Sequence, residues 1–368
     1  MPDEGTTAPE SSGPSRRGAL GAMGATVTAG VIGAAMTASA AQAQTAGAPL
    51  RLPAPSPALV PRADLVNVLE YETQARLILG DARLAPITGG DRTVTDRITL
   101  RPRMNIPTRN LDLTSSLFGD DHFAPIIIGP VADQKRFHAD GEAATARGAS
   151  AAKAAMVVSS APSVPLATIA QAATAPLYLQ VDAKSPRLKD QLAEASAAKI
   201  KAVFVTVNGG ARIDWASVEA VAKATSLPVV VKGVTRPDEA KEAVARGAKG
   251  VVVSTYRSGG AANAPGPLLL IAPVAEAVGG QATVLADGSF RRGTDILKAM
   301  AFGARGVLVG RPVMWGLGAY GADGVQGVVE MLQTELARYM SMCGCPTPAA
   351  IQPALVRVHA PLPVKRNV

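Results

Sequence analysis

The chain is poor in cysteine, histidine and aromatic residues. Two cysteines among 368 residues exclude a framework of several disulfides, and no histidine or carboxylate cluster beside Cys343 and Cys345 has the spacing of a zinc site. We read the pair as buried free thiols, with a vicinal disulfide as the alternative in an exported chain. His122, His138 and His359 are the only histidines, so we expect no metal centre. Lysine and arginine (37) outnumber aspartate and glutamate (29), a net charge of +8. The basic residues are scattered, neither gathered into runs nor interleaved with aromatics, which argues against a nucleic-acid surface. What is present is an Ala/Gly/Val-rich composition, 48% hydrophobic and 4% aromatic, of the kind that fills an ordinary α/β core.

The N-terminus departs from this pattern. A polar leader ends in Ser15-Arg16-Arg17, an uncharged stretch runs from Gly18 to about Ala41, and Ala41-Gln42-Ala43 follows as a small-residue cleavage site. Residues 1–43 therefore read as a twin-arginine export signal, which sends the mature chain to the periplasm or outside the cell. A membrane anchor is the competing reading, because the stretch is about long enough to span a bilayer; its Gly, Ala and Thr content is weakly apolar. Residues 44–64 are a proline-rich linker or arm, residues 65–360 the folded domain, and residues 361–368 a basic tail.

From Pro125 onward, short β-branched runs alternate with Ala-rich amphipathic segments. Eight runs are visible, at 125–130, 154–160, 176–182, 202–208, 228–234, 250–255, 283–288 and 306–311. Continuously apolar runs mean strands covered on both faces, hence a parallel sheet with a helix in each crossover. Eight such units favour a closed (β/α)8 TIM barrel over a doubly wound sheet. No Gly-x-Gly-x-x-Gly follows the first run, as a doubly wound dinucleotide-binding sheet requires.

Chemistry in such a barrel belongs at the C-terminal ends of the strands. After the seventh run comes Asp287-Gly288-Ser289 with Arg291, and after the eighth come Gly310 and Arg311. Small residues let backbone N–H groups approach an anion, the arginines add charge, and a helix starting near Thr294 adds its dipole. Lys232, closing the fifth run, faces this corner across the mouth, where a fixed ammonium stabilises an anionic reduced cofactor.

These segments resemble the FMN-dependent α-hydroxy acid dehydrogenase/oxidase family, the glycolate and lactate oxidase type. The resemblance rests on VLEYETQAR, IIIGPVADQKRFHADGEAATARGASAA, VVVKGV and DGSFRRGTDILKAMAFGARGVLVGRP, and it spans about Leu65 to Ala349. It implies bound FMN, with contacts from Pro130, Val131, Ala132, Ser159, Tyr178, Thr206, Lys232, Ser254, Asp287, Gly288, Ser289, Arg291, Gly310 and Arg311. Ser289 stands where the family has glycine. The family's Gln and Tyr on the third strand align with Tyr178 and Gln180, as though exchanged. It further implies a small-molecule substrate, oxygen or a respiratory carrier as electron acceptor, and a homo-oligomer.

The catalytic half departs from the pattern. Where the family has Ser-Asn-His-Gly followed by a carboxylate-gripping Arg, this chain reads Ser254-Thr255-Tyr256-Arg257-Ser258-Gly259. The family Asp that steadies the His aligns with Asn208, and the loop after the fourth strand is shortened to GGARIDW. A family Tyr aligns with Ala85 and a family Trp with Ala161. His138 matches a structural position on the first helix. Catalytic candidates are therefore Tyr256 as base or acid, Lys232 beside the flavin, and Arg257 or Arg212 as a substitute clamp. The alternative is a Tyr256 that only stacks on the flavin, in a catalytically inactive FMN-binding protein. A barrel binding a phosphorylated metabolite without flavin is the third reading.

Overall fold

The β-branched runs close on themselves. In the computed structural model the strands β1 (Ile126–Ile128), β2 (Ala155–Val158), β3 (Leu177–Val181), β4 (Val203–Thr206), β5 (Val229–Val234), β6 (Gly250–Ser254), β7 (Thr283–Asp287) and β8 (Gly306–Val309) form a closed parallel barrel in sequence order. The structure describes residues 58–360 apart from 91, 104, 107, 208–212 and 256–265. The export-signal and basic-tail assignments, together with Asn208, Arg212, Tyr256 and Arg257, lie outside the described residues. No helix among the described residues is long and apolar enough to cross a membrane.

One helix follows each strand: α1 (Gly141–Ala151), α2 (Leu166–Ala172), α3 (Leu188–Ala197), α4 (Trp215–Ala224), α5 (Pro237–Ala245), α6 (Leu268–Val278), α7 (Gly293–Ala301) and the long α8 (Arg311–Met342), which bends at Gly321. The two-residue period of the strands divides the apolar side chains into two cores. Outward residues such as Ile126, Met156, Val203, Val229, Val251 and Val307 pack on the helices. Inward residues Ile127, Val157, Tyr178, Phe204, Val230, Val252, Leu285 and Leu308 fill the barrel. This is why the runs are apolar throughout and not alternating.

The barrel is stoppered at its N-terminal end. A hairpin of Ser115–Leu117 and Asp120–His122 brings Leu117 and Phe118 against the inner core. Phe118 meets Tyr178 and Phe204 edge-on, at 5.8 and 6.3 Å between ring centres. The Tyr178 hydroxyl bonds His122 Nε2 at 2.9 Å. Burial holds the His122 pKa below its ordinary value and pushes that of Tyr178 up, so both stay neutral in the stopper.

Before the barrel, a helix over Glu70–Leu84 packs along α8, and the end of the proline-rich arm is tied to it. Val60 N–H donates to Gln74 Oε1 at 2.9 Å, and the Tyr320 hydroxyl donates to Val60 O at 2.5 Å. Cys343 and Cys345 are both buried free thiols beyond α8.

Candidate active site and cofactor corner

Two residues beyond each inward core residue lies the next inward position: Gly129, Ser159, Gln180, Thr206, Lys232, Ser254, Asp287 and Gly310. The barrel thus changes from an apolar plug to a polar ring in a single layer at its C-terminal mouth. Strand register sets Thr206 beside Lys232 and Ser254 beside Asp287.

The ring has a charged half and a neutral half. Lys232 Nζ lies 2.6 Å from Asp287 Oδ2, and the Ser254 hydroxyl donates to the same carboxylate at 3.0 Å. In the neutral half the Gln180 amide donates to Thr206 Oγ1, and Ser159 Oγ donates to Gln180 Oε1 at 3.4 Å. Gln180, and not Tyr178, is therefore the side chain that β3 contributes to this layer. Tyr178 lies one layer below with its hydroxyl committed to His122, which corrects the expectation that it is one of the FMN contacts.

Lys232 owes its placement to a break in the ladder. Strand register shifts between Lys232 and Val234, and the intervening Gly233 has φ 109°. A β-carbon there would stand 2.2 Å from Val207 O, so only glycine permits this bulge.

The corner after β7 and β8 gathers three arginines. Arg291 Nη2 donates to Gly89 O at 2.8 Å, and its guanidinium lies 4.7 Å over the Trp315 ring. Arg311 Nη1 donates to Gly89 O at 3.1 Å. Arg92 donates to Ser289 O at 3.1 Å and to Asp295 at 2.7 Å. Gly90 lets the covering loop descend: a β-carbon there would meet Arg311 Nη2 and Ser289 Oγ, each at 2.8 Å. Ser289 has φ 55°, a left-handed conformation that explains a glycine at this place in the related pattern.

Asp295 changes one expectation. Helix α7 starts at Gly293, and Asp295 Oδ2 already accepts the N–H groups of Arg291 and Arg292 at 2.9 and 3.0 Å. The helix end is capped by its own carboxylate, so the positive character of this corner comes from the guanidinium groups. Arg291 is only 4% exposed. Burial, with Arg311 and Arg92 adding like charge, lowers its pKa to about 9. Three guanidinium groups around one buried carboxylate favour a phosphate dianion, and this donor set fits the phosphate of FMN.

Arg92 and the Thr88–Gly90 loop were not singled out from sequence, since they join the corner from about 200 residues away, and Asp295, only four residues from Arg291, was passed over as one more acidic residue of a first helical turn. A second overlooked group is Glu142. Wholly buried, it accepts Gln134 N–H and Ser163 N–H at 3.0 Å each, and so ties the loop after β1 to the loop after β2. Gln134 Nε2 in turn holds Val131 O at 3.1 Å. None of the three histidines reaches the ring. His122 is in the stopper, His138 Nδ1 accepts Asp140 N–H at 3.2 Å, and His359 bonds Thr99 Oγ1 at 2.8 Å.

A closed barrel with a polar mouth and an arginine corner after its last two strands defines a phosphate-binding TIM barrel. The chain belongs to the FMN-dependent dehydrogenase family, whose model matches residues 89–209 and 208–358. It is similar to human 2-hydroxyacid oxidase 1, at 30% identity over 84% of this chain and 100% of that protein. It is likewise similar to the L-lactate oxidase of Nostoc sp., at 32% identity over 76% of this chain and 94% of that one. A mandelate oxidase solved with (S)-4-hydroxymandelic acid superposes with a TM-score of 0.76 at 29% identity, over 81% of this chain and 100% of that one. The protein is thus an FMN-dependent oxidoreductase of the α-hydroxy acid oxidase kind.

Proposed function

We propose that the protein oxidises a small organic substrate by hydride transfer to FMN, with a specificity displaced from simple 2-hydroxy acids. The observation that carries this reading is the end of β6, where Ser254-Thr255-Tyr256-Arg257 stands in place of the family's Ser-Asn-His-Gly. The two blocks matched by the family model also meet at 208–209, within the segment read as a shortened loop.

In this reading Arg291, Arg311, Gly288, Ser289 and Gly310 hold the phosphate, and Asp287, Ser254, Thr206 and Ser159 take polar groups of the cofactor. Pro130, Val131 and Ala132 flank it, and Lys232 supplies the ammonium beside its ring. When bound, FMN accepts the hydride. The chain must then remove the hydroxyl proton and orient the substrate. A tyrosine of unperturbed pKa near 10 is about 0.1% ionised at pH 7, a deficit of roughly 4 kcal/mol against a base already deprotonated. Tyr256 serves as base only where cations lower that value. Lys232 is partly spent on Asp287, so Arg257 or Arg212 must supply most of the shift.

Relatives are named for 2-hydroxy acids and lactate, and the similar mandelate oxidase structures include ones with (S)-mandelic acid and (S)-4-hydroxymandelic acid. Those acids are therefore the discriminating probes. Mixed without oxygen with the FMN-loaded protein, glycolate, lactate and mandelate should each leave the flavin oxidised; prompt bleaching by any of them rejects the displaced specificity. A second reading, an FMN-binding protein without turnover, is favoured by the distance of all three histidines from the ring. It predicts a flavin reduced by dithionite and by no alcohol, hydroxy acid or amine in a broad screen. The Arg16-Arg17 leader supports export, which cell fractionation tests directly.

A further inference from the structure

We propose that Gln134 is a positioning residue for the cofactor: it turns the peptide between Val131 and Ala132 so that the Ala132 N–H points into the barrel mouth, as a hydrogen-bond donor for the flavin ring. The inference rests on the reading that Pro130, Val131 and Ala132 flank FMN.

Gln134 is wholly buried and held at every polar group. Its backbone N–H donates to Glu142 Oε1 at 3.0 Å, and its backbone oxygen accepts the N–H groups of Phe137 and His138 at 2.9 and 3.2 Å. A carbonyl oxygen only accepts, so the end of the side-chain amide facing Val131 O is Nε2, at 3.1 Å. The other end, Oε1, accepts the Thr145 hydroxyl at 2.6 Å and locks that orientation. Between the two residues the chain doubles back through Asp133, which has φ 52° and donates its N–H to Ala161 O at 3.2 Å.

The peptide plane carries the consequence. The Val131–Ala132 bond is trans, and in a planar trans peptide the C=O and the N–H point in opposite directions. Gln134 draws the Val131 carbonyl toward the interior, so the Ala132 N–H points away from it, to the open side of the loop. Ala132 is exposed, and no acceptor among the described residues takes its N–H. Val131 sets this peptide beside the arginine corner: its Cγ2 lies 3.5 Å from where a β-carbon of Gly310 would stand. A donor fixed there favours the reduced ring, on which negative charge develops, as a backbone N–H favours an oxyanion.

The test combines fluorescence-quenching titrations with FMN and riboflavin, the midpoint potential of the bound flavin, and hydrogen exchange at Ala132. In the parent, FMN should slow exchange of the Ala132 N–H. Gln134→Leu releases the peptide, and should weaken FMN and riboflavin by the same factor, about tenfold, while making the potential more negative. Gln134→Glu keeps the size and the bond from Thr145 but sets a carboxylate oxygen against Val131 O. It should weaken both flavins at least as much at neutral pH, and it decides the matter should the leucine variant fail to fold. The proposal is overturned if the variants keep the parent's riboflavin affinity and potential, or if FMN alone is weakened, which is the signature of the arginine corner. Exchange at Ala132 that FMN leaves unchanged in the parent overturns the flanking reading as well, whereas protection in the parent that persists in both variants overturns the role of Gln134 alone.

Discussion

Lys232 Nζ lies 2.6 Å from Asp287 Oδ2 across the intervening strand β6, with the ammonium side chain 4% exposed and the carboxylate 19%. The pair is asymmetric, since the cation is the more deeply buried partner. Asp287→Asn leaves a buried ammonium beside a neutral amide and should destabilise the apoprotein by about 3 kcal/mol. Lys232→Met leaves a carboxylate that keeps the Ser254 hydroxyl and some solvent, and should cost less. Urea unfolding of both variants decides; equal losses would mean that the pair is solvated and contributes little.

The arginine corner should discriminate by charge. Arg311→Gln and Arg291→Gln should each weaken FMN binding tenfold or more, in line with about 1.5–3 kcal/mol for a hydrogen bond to an ionised group. Riboflavin, which lacks the phosphate, should bind weakly and be indifferent to either change. Fluorescence-quenching titrations with FMN and with riboflavin measure both effects, and an FMN affinity unchanged in Arg291→Gln would remove Arg291 from the phosphate contact.

How far such features are readable in advance depends on whether their cause is local. The eight strands are legible because burial on both faces demands uninterrupted β-branched runs, and Val229-Val230-Val231 or Ile126-Ile127-Ile128 carries that demand in its own residues. Lys232, Ser254 and Asp287 are legible because polar residues ending apolar runs mark the mouth. The stopper is different. His122 meets Tyr178 across 56 residues, and nothing in DDH or PLYLQVD announces the partner, so Tyr178 reads as a mouth residue until the layers are counted. Arg92 and Asp295, 203 residues apart, are hidden for the same reason. Asp295 looks like one more acidic residue in a first helical turn, yet it occupies the amides that an anion would otherwise take.

The bulge at Gly233 should be intolerant of any side chain. Gly233→Ala combines φ 109° with a β-carbon 2.2 Å from a backbone oxygen, a clash that no rotamer change relieves. A loss of about 3 kcal/mol or more is expected. Because Lys232 precedes the bulge, the surviving protein should also bind FMN less tightly. A variant as stable as the parent would show that the ladder closes without the bulge.

The stopper should make the barrel acid-sensitive. His122 is held below its ordinary pKa by burial, so between that lowered value and about 6.5 the unfolded chain takes up a proton that the folded chain refuses. Its contribution is fully present above about 6.5 and is lost as pH falls through that window, at up to about 1.4 kcal/mol per unit. His122→Gln removes the titrating group, so the difference in melting temperature between parent and variant should shrink from pH 8 to pH 5. Parallel curves would place the acid sensitivity elsewhere.

The sharpest chemical prediction concerns Tyr256. If its phenol takes the substrate proton, Tyr256→Phe removes one oxygen and should leave the absorbance of bound FMN intact. Flavin reduction by a substrate found in the screen should then fall by a factor of 10² to 10⁴, the usual worth of a positioned acid or base. A base whose pKa is lowered by neighbouring arginines also gives a reduction rate that rises with pH and levels off above the phenol pKa. That rise should move toward pH 10 in Arg257→Gln and Arg212→Gln if their charge does the lowering. Stopped-flow reduction across pH 6 to 10 separates the roles: an unchanged rate in Tyr256→Phe assigns the proton to solvent or to another group, and leaves the tyrosine as a packing face.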